Sequence, residues 1–222
     1  MQYNYFITGT DTEVGKTYVT CLLLKKFSQS GLRCAALKPV ASGALLHDGQ
    51  LRNDDALQLQ AMSNVTLPYE DINPYCFAPA IAPHLAAAQA GVSIDMDHIT
   101  HIAARAGTQV DVLLVEGVGG WQVPLGEGFN VSDLARALGY PVILVVGMRL
   151  GCINHALLSA EAICAGGLEL AGWVANPMSE GMTAFDDNIV TLQSRLAAPC
   201  LGVLQRIDGA AREANVTKLT LP

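Results

Sequence analysis

Two kinds of apolar pattern alternate along the chain. The first is short and unbroken. "DVLLVEG" (111–117) is apolar from Val112 up to its closing acid, and "PVILVVG" (141–147) carries no polar residue in its interior. Such runs are too short for helices and are bounded by Asp, Pro or Gly, so they predict strands buried on both faces of a parallel sheet. "RCAALKPV" (33–40), "LAGWVAN" (170–176) and the brief "LGVL" (201–204) predict further strands, and Phe6–Thr8 closes another. Pro39 fixes the exit of the 33–40 strand.

The second pattern is helical. From Lys16 to about Ser30, Val19, Leu22, Leu23 and Phe27 share one face, and Gly31 stops the run. Helices are also predicted over Asp54–Met62, over 93–106 with Ser93 or Asp95 as cap, over Val131–Leu138 closed by Gly139, over Asn154–Ala165 and over 184–197. Residues 41–54 read as a polar loop. Residues 64–84 carry four prolines and read as a long irregular segment with room for one short strand. No linker or repeat interrupts the alternation. The expectation is one α/β domain over 1–222, a mostly parallel sheet with helices on both faces. Ligands gather beyond the carboxyl ends of such strands. That directs attention to Thr8–Gly9, Lys38–Pro39, Glu116–Gly117 and Gly147.

Composition narrows the function. A chain of 222 residues, 51% hydrophobic, can form a sizeable core without staples. Its formal net charge is −7, from 20 acids against 13 Lys and Arg, with no basic block. A nucleic-acid or anionic-membrane partner is therefore not expected. The longest apolar run, "PVILVVGM", is too short to span a bilayer, and Met1–Tyr5 lacks a basic leader segment. Six cysteines stand at 21, 34, 76, 152, 164 and 200 with no Cys-x-x-Cys pair. They suit a reducing, cytoplasmic setting, and Cys21, Cys164 and Cys200 read as free thiols in or near the core.

Residues 6–18, "FITGTDTEVGKTY", carry the first chemistry. A phosphate loop is normally Gly, four residues, then Gly-Lys-Thr or Gly-Lys-Ser. Here Gly9 comes one residue early and Thr10 takes the glycine position. A strand before the loop and an apolar-periodic helix after it supply the right context. Backbone N–H groups of residues 13–17 can cradle a phosphate, Lys16 can reach the terminal phosphates, and the Thr17 hydroxyl can ligate magnesium. Asp11 and Glu13 are poor neighbours for phosphate unless they face something cationic.

Phosphoryl transfer needs further acids. Glu116 ends a buried strand, where a magnesium-organising carboxylate belongs, whereas Asp111 sits at the strand's other end. Asp54 or Asp55 can add a second carboxylate. Lys38 ends a neighbouring strand. It can neutralise a transferring phosphoryl group, or hold a carboxylate-like nucleophile beside it.

The blocks "GTDTEVGKT", "LKPVASG", "LRNDDAL", "EGVGGW", "VVGMRLGCINH" and "GWVAN" follow one another in the order and at the intervals of dethiobiotin synthetases, and the chain resembles that family over nearly its whole length. The resemblance implies a phosphate-loop NTPase-like fold and a cytoplasmic homodimer of biotin biosynthesis. It implies a ligase that joins 7,8-diaminopelargonic acid and carbon dioxide with MgATP, giving dethiobiotin, ADP and phosphate. It places Glu13, Val14, Gly15, Lys16, Thr17 and Tyr18 around the nucleotide, with Lys16 and Lys38 catalytic. Thr17, Asp55 and Glu116 would hold Mg²⁺, while Glu116, Gly117, Val118 and Gly119 line the cleft. Thr12 and Ser42 lie on the diamine side. Asn176 and Pro177, with Leu204, Gln205 and Arg206, meet the nucleotide's base and ribose. Gly151, Cys152 and Asn154, at a helix start, meet the substrate carboxylate from the neighbouring subunit, and His155 reads as an interface histidine.

Two stretches depart from the family pattern. "QRIDGAAREAN" (205–215) replaces a turn containing proline and an aromatic residue, and Phe185 stands where relatives place a tyrosine near the substrate tail. Two other readings belong to different classes. An amidase-like synthetase would need a glutaminase nucleophile, but Cys152 precedes Ile-Asn-His and forms no nucleophile elbow. A partition- or iron-protein-like ATPase switch usually shows an early lysine in the loop, where this chain has Thr-Asp-Thr-Glu.

Overall fold

The computed structural model describes residues 3–206 and 209–222, with only the backbone of 209–213. Ile207 and Asp208, within the divergent 205–215 stretch, lie outside the described residues. In chain order the strands are β1 (Tyr3–Gly9), β2 (Cys34–Leu37), β3 (Val40–Ser42), β4 (Leu45–His47), β5 (Gln50–Arg52), β6 (Tyr75–Phe77), β7 (Val112–Glu116), β8 (Pro124–Gly126), β9 (Phe129–Asn130), β10 (Val142–Met148), β11 (Leu170–Pro177) and β12 (Cys200–Val203). The helices are α1 (Lys16–Gln29), α2 (Asp54–Met62), α3 (Tyr69–Ile72), α4 (Pro83–Ala90), α5 (Met96–Gly107), α6 (Val131–Leu138), α7 (Cys152–Ala165) and α8 (Phe185–Arg195), and a 3₁₀ segment spans Gly209–Lys218.

Six strands form one parallel sheet in the order β12-β11-β10-β1-β7-β2. Unbroken apolar strands become central strands because side chains alternate between two covered faces. In β7, Leu113 and Val115 pack with Ile99 and Ile102 of α5 and Leu134 of α6. Val112 and Leu114 point the other way, to Leu23, Leu24 and Phe27 of α1. In β10, Leu144 and Val146 pack on α7 and α8, through Ala156 and Leu192. Each fully buried Leu or Ile contributes about 1.5–3 kcal/mol.

Several expected boundaries differ. The 33–40 run is not one strand. β2 stops at Leu37, the Lys38 N–H donates to Ile72 O at 2.8 Å, and β3 then pairs with β6 in a separate two-stranded sheet. Pro39 has no N–H to continue the ladder with β7. The expected 41–54 loop contains the β4–β5 hairpin, turned by Asp48 (φ 50°) and Gly49 (φ 78°). Asp-Gly between apolar residues is a hairpin signal. The proline-rich 64–84 segment holds α3, β6 and the start of α4, whose first residue is Pro83. Pro at a helix start loses no bond. α5 takes Asp95 as its cap, through the N–H groups of Asp97 and His98. α7 starts two residues earlier than expected, at Cys152, behind Gly151 at φ 94°. Cys164 is exposed, while Cys34 and Cys152 are the buried thiols.

Candidate active site

β1, β7 and β2 end side by side, and their C-terminal residues open onto a cleft of about 900 Å³. Thr12, Glu13, Gly15, Lys16, Thr17, Tyr18, Lys38, Ser42, Asp55, Glu116, Val118 and Gly119 line it.

The loop after β1 is fixed from beneath. The Thr10 N–H donates to Val145 O at 3.0 Å, and the Thr10 hydroxyl accepts from Gly147 N at 3.2 Å. Val14 is buried against Gly9 and Gly147, where an added Cβ would lie 2.5 and 2.7 Å from its side chain. The Val14 side chain thus anchors the loop from below, outside the cleft lining. Glu13 (φ 60°) and Gly15 (φ 89°) adopt left-handed backbone and bring the chain round into α1. No side chain caps α1 and its first turn holds no acid, so its leading N–H groups and the positive end of its dipole are available to an anion. Asn176 Nδ2 donates to Val14 O at 2.8 Å, and a Cβ on Gly15 would collide with that amide. Gly15→Ala is therefore expected to combine a strained φ with a displaced Asn176 and to weaken ADP binding at least tenfold, read by calorimetry. Unchanged affinity in a folded variant would refute this account of the loop.

Lys16 lies back across the loop, its Nζ 3.1 Å from Asp11 O. Burial first, and then the charge of Lys38, pull its pKa down to about 8, against Glu116, Asp55 and Asp11. Asp11 has its cation within the chain, as an ion pair with Arg149 at the end of β10. Its carboxyl stays below the usual range because the Thr12 N–H donates to it and Arg149 bonds it. Arg149 is thus the cationic group that Asp11 faces within the chain.

Glu116 is fully buried and heavily bonded. Its Oε1 accepts from Lys38 Nζ at 2.6 Å and from the Thr17 hydroxyl at 2.8 Å, and its Oε2 accepts from Thr20 at 3.1 Å. Lys38 also donates to Gly117 O at 3.1 Å and lies 3.4 Å from Asp55 Oδ2. Burial alone would lower the Lys38 pKa, but Glu116 and Asp55 outweigh it and hold the ammonium above the ordinary lysine value. Asn53 caps α2 through the N–H groups of Asp55 and Ala56, which sets Asp55 at the cleft. Thr17, Asp55 and Glu116 together present three hard oxygen donors, the set a magnesium ion takes.

Other expected residues stand apart from the cleft lining. Leu204 is buried in the core, so its side chain offers nothing to a nucleotide. Gln205 is tied to Asn215 through its N–H and its carbonyl, and Arg206 donates to Met178 O at 2.9 Å. Gly117 packs between Phe6 and Val131, and Pro177 ends β11 beside Met148. Gly151, Cys152 and Asn154 form the start of α7, outside the cleft of their own chain, and Cys152 is buried. Phe185 packs on the α7–α8 core. Sequence reasoning did not find Thr20, Asn53, the wall from Ala80 to Pro83, or Gln122, Val123 and Pro124. Thr20 lies three residues after Thr17 on one helix face, and Asn53 before two acids is a cap signature, so both had local signals. The walls had none.

A family model described as an AAA domain matches residues 3–214. An ATP-dependent dethiobiotin synthetase BioD from Pseudomonas aeruginosa (strain UCBPP-PA14) is 52% identical over 219 residues, covering 98% of this chain and 96% of that one. One from Aromatoleum aromaticum is 49% identical over 218 residues, with 98% and 97% covered.

The chain belongs to the dethiobiotin synthetase family.

Solved structures agree on the phosphate-loop NTPase fold. The septum site-determining protein MinD from Pyrococcus horikoshii, complexed with Mg-ADP, superposes with a TM-score of 0.63 at 16% identity, covering 99% of this chain and 87% of that one. The signal recognition particle receptor FtsY from Elizabethkingia anophelis gives 0.54 at 14% identity, covering 98% and 64%. For a dethiobiotin synthetase, the loop after β1, the end of β7 and the end of β2 stand where a phosphoryl-transfer enzyme of this fold gathers its charges.

Proposed function

We infer that the protein is an ATP-dependent cyclo-ligase that carboxylates 7,8-diaminopelargonate with CO₂ and closes the ureido ring, giving dethiobiotin, ADP and phosphate. The observation that carries the chemistry is the meeting of Lys16, Lys38, Thr17, Asp55 and Glu116 in one cleft. An unprotonated substrate amine adds to CO₂. A carbamate oxygen then attacks the γ-phosphorus of ATP in line, forming a carbamic–phosphoric anhydride and releasing ADP. The second amine attacks the anhydride carbonyl and expels phosphate.

Lys16 and the free N–H groups of α1 bind and neutralise the phosphate oxygens as charge develops, and the loop holds them in place beforehand. Lys38 is the second catalytic cation, at the carbamate side. Thr12 and Ser42 line the diamine side, and the Ser42 hydroxyl is buried without a partner among the described residues, which suits a group that meets substrate. Mg²⁺, held by Thr17, Asp55 and Glu116, would neutralise phosphate charge when bound. Holding both reactants in one cleft accounts for much of the acceleration. Nucleotide contacts are assigned to Asn176 and Pro177, with the side chains of Gln205 and Arg206 beside them.

The whole chain, 1–222, acts as one domain in a homodimer. Leu150, just before the α7 start, is 98% exposed, Leu158 in the middle of α7 is 58% exposed, and the Arg149–Asp11 pair ties the start of this segment to the phosphate loop. A two-fold partner would cover these leucines and place Gly151, Cys152 and Asn154 against the other copy's substrate carboxylate at a helix N-terminus. Among the described residues no helix is long and apolar enough to cross a membrane.

Incubation with diaminopelargonate, bicarbonate and MgATP is expected to yield dethiobiotin by mass. Folded protein that binds ATP but makes none would refute the assignment. Solution mass measured across dilution, with activity assayed in parallel, is expected to show activity confined to the dimer. Full activity at monomer mass would refute the shared site.

A further inference from the structure

The ammonium of Lys38 is engaged by protein oxygens rather than turned freely to the cleft. Its Nζ donates to Glu116 Oε1 at 2.6 Å and to Gly117 O at 3.1 Å, and forms an ion pair with Asp55 Oδ2 at 3.4 Å. Its side chain is 4% exposed, between a Glu116 side chain with no exposure and an Asp55 side chain 42% exposed. The ammonium therefore stands between the two carboxylates that, with Thr17, make up the hard-oxygen set. Lys16, the other buried cation of the cleft, is held elsewhere, on the Asp11 carbonyl.

We propose that Lys38 is the resident counter-ion of Glu116 and Asp55, and that a divalent cation entering this set displaces its ammonium towards the cleft. The inference rests on the proposed function, which makes these oxygens the metal's ligands. Two cations do not share one pair of acids at hydrogen-bond range without strong mutual repulsion. A divalent ion also draws the acids more strongly than an ammonium does. Lys38 then has two positions with two uses. Without metal it neutralises a buried glutamate that would otherwise be uncompensated. With metal its N–H groups become free for a carbamate or phosphoryl oxygen. Lysine suits this exchange, since its compact charge sits on a flexible four-carbon stem, unlike the planar fork of arginine. Metal loading would thus arm the catalytic lysine, and the enzyme would present a competent Lys38 only when its metal is in place.

The test uses Mn²⁺ as the probe, on the full chain without nucleotide or substrate, with free Mn²⁺ read by electron paramagnetic resonance. Lys38→Met removes the competing charge and keeps most of the side chain's volume. It is expected to bind Mn²⁺ at least tenfold more tightly than the wild type, and Glu116→Gln is expected to abolish the gain in the double variant. Unchanged or weaker binding by a folded Lys38→Met protein, checked by circular dichroism, overturns the proposal. Should that variant fail to fold, a crystal structure of the wild type with Mn²⁺ decides. Lys38 Nζ is expected beyond hydrogen-bond reach of Glu116 Oε1, and Lys38 still bonded to Glu116 beside a bound metal overturns the proposal. Neither readout involves product, so dethiobiotin formation with a fixed Lys38 would sink this exchange alone, and exchange without product would sink the substrate assignment alone.

Discussion

Lys16→Ala is expected to lower turnover by about 100- to 1,000-fold, the loss that follows removal of one preorganised charge at a developing oxyanion. The residue is 6% exposed and lies at the first position of α1, where the helix N–H groups also converge. Among the described residues its one polar contact at hydrogen-bond range is the Asp11 carbonyl, so its charge is uncommitted to any described carboxylate and available to phosphate. Because the pKa is about 8, the ammonium remains charged at pH 7 despite burial. Replacement by alanine removes a desolvated cation and breaks no ion pair, so the folded state should not suffer. The check is turnover per folded molecule beside the urea unfolding midpoint. Near wild-type dethiobiotin formation would contradict the role given to Lys16.

Lys38→Ala is expected to fail twice. Turnover is lost, and stability falls by about 3–5 kcal/mol, because Glu116 is left as an uncompensated buried charge. A simpler expectation treats catalytic and structural roles as alternatives, distinguished by whether turnover or stability falls. The geometry joins them, since the same ammonium neutralises Glu116 at 2.6 Å and faces Asp55 at 3.4 Å. The comparison with Lys16→Ala is decisive. Urea unfolding of both variants should show a large shift for Lys38→Ala and a small one for Lys16→Ala. Equal shifts would mean that Lys38 does not carry the Glu116 charge in the folded protein.

The two lysines show how position sets chemistry. Both are buried cations within one cleft, yet their pKa values move in opposite directions. Lys16 has desolvation and a like charge against it, and only more distant acids in its favour. Lys38 is opposed by burial too, but it touches Glu116 and faces Asp55. Glu116 is in turn held by Thr17 and Thr20 from the first two turns of α1. The helix proposed to bind phosphate is therefore bonded to the acid at the end of β7, and the cleft's charges form one connected network.

By itself the sequence determined what is local. Short apolar runs pointed to the six strands of the main sheet, most clearly β7 and β10, because a strand covered on both faces has no polar side to show. Gly-Lys-Thr after a strand pointed to the proposed phosphate site, since a helix start offers free N–H groups wherever it occurs. Lys38 and Glu116 were legible as charged residues ending apolar strands, a placement that sheet topology turns into a shared edge. The hairpin at Asp48–Gly49 and the cap at Asn53 were also written locally. Tertiary structure alone decided the pairings across long separations. It set Arg149 on Asp11, Asn176 on Val14 O and Lys38 between Glu116 and Asp55. It also brought Ala80–Pro83 and Gln122–Pro124 round as walls of one cleft. No periodicity or spacing encodes such contacts, because they depend on how β1, β2, β7 and β10 are ordered in the sheet. That order arises from burying both faces of the sheet at once, and it fixes which charges meet.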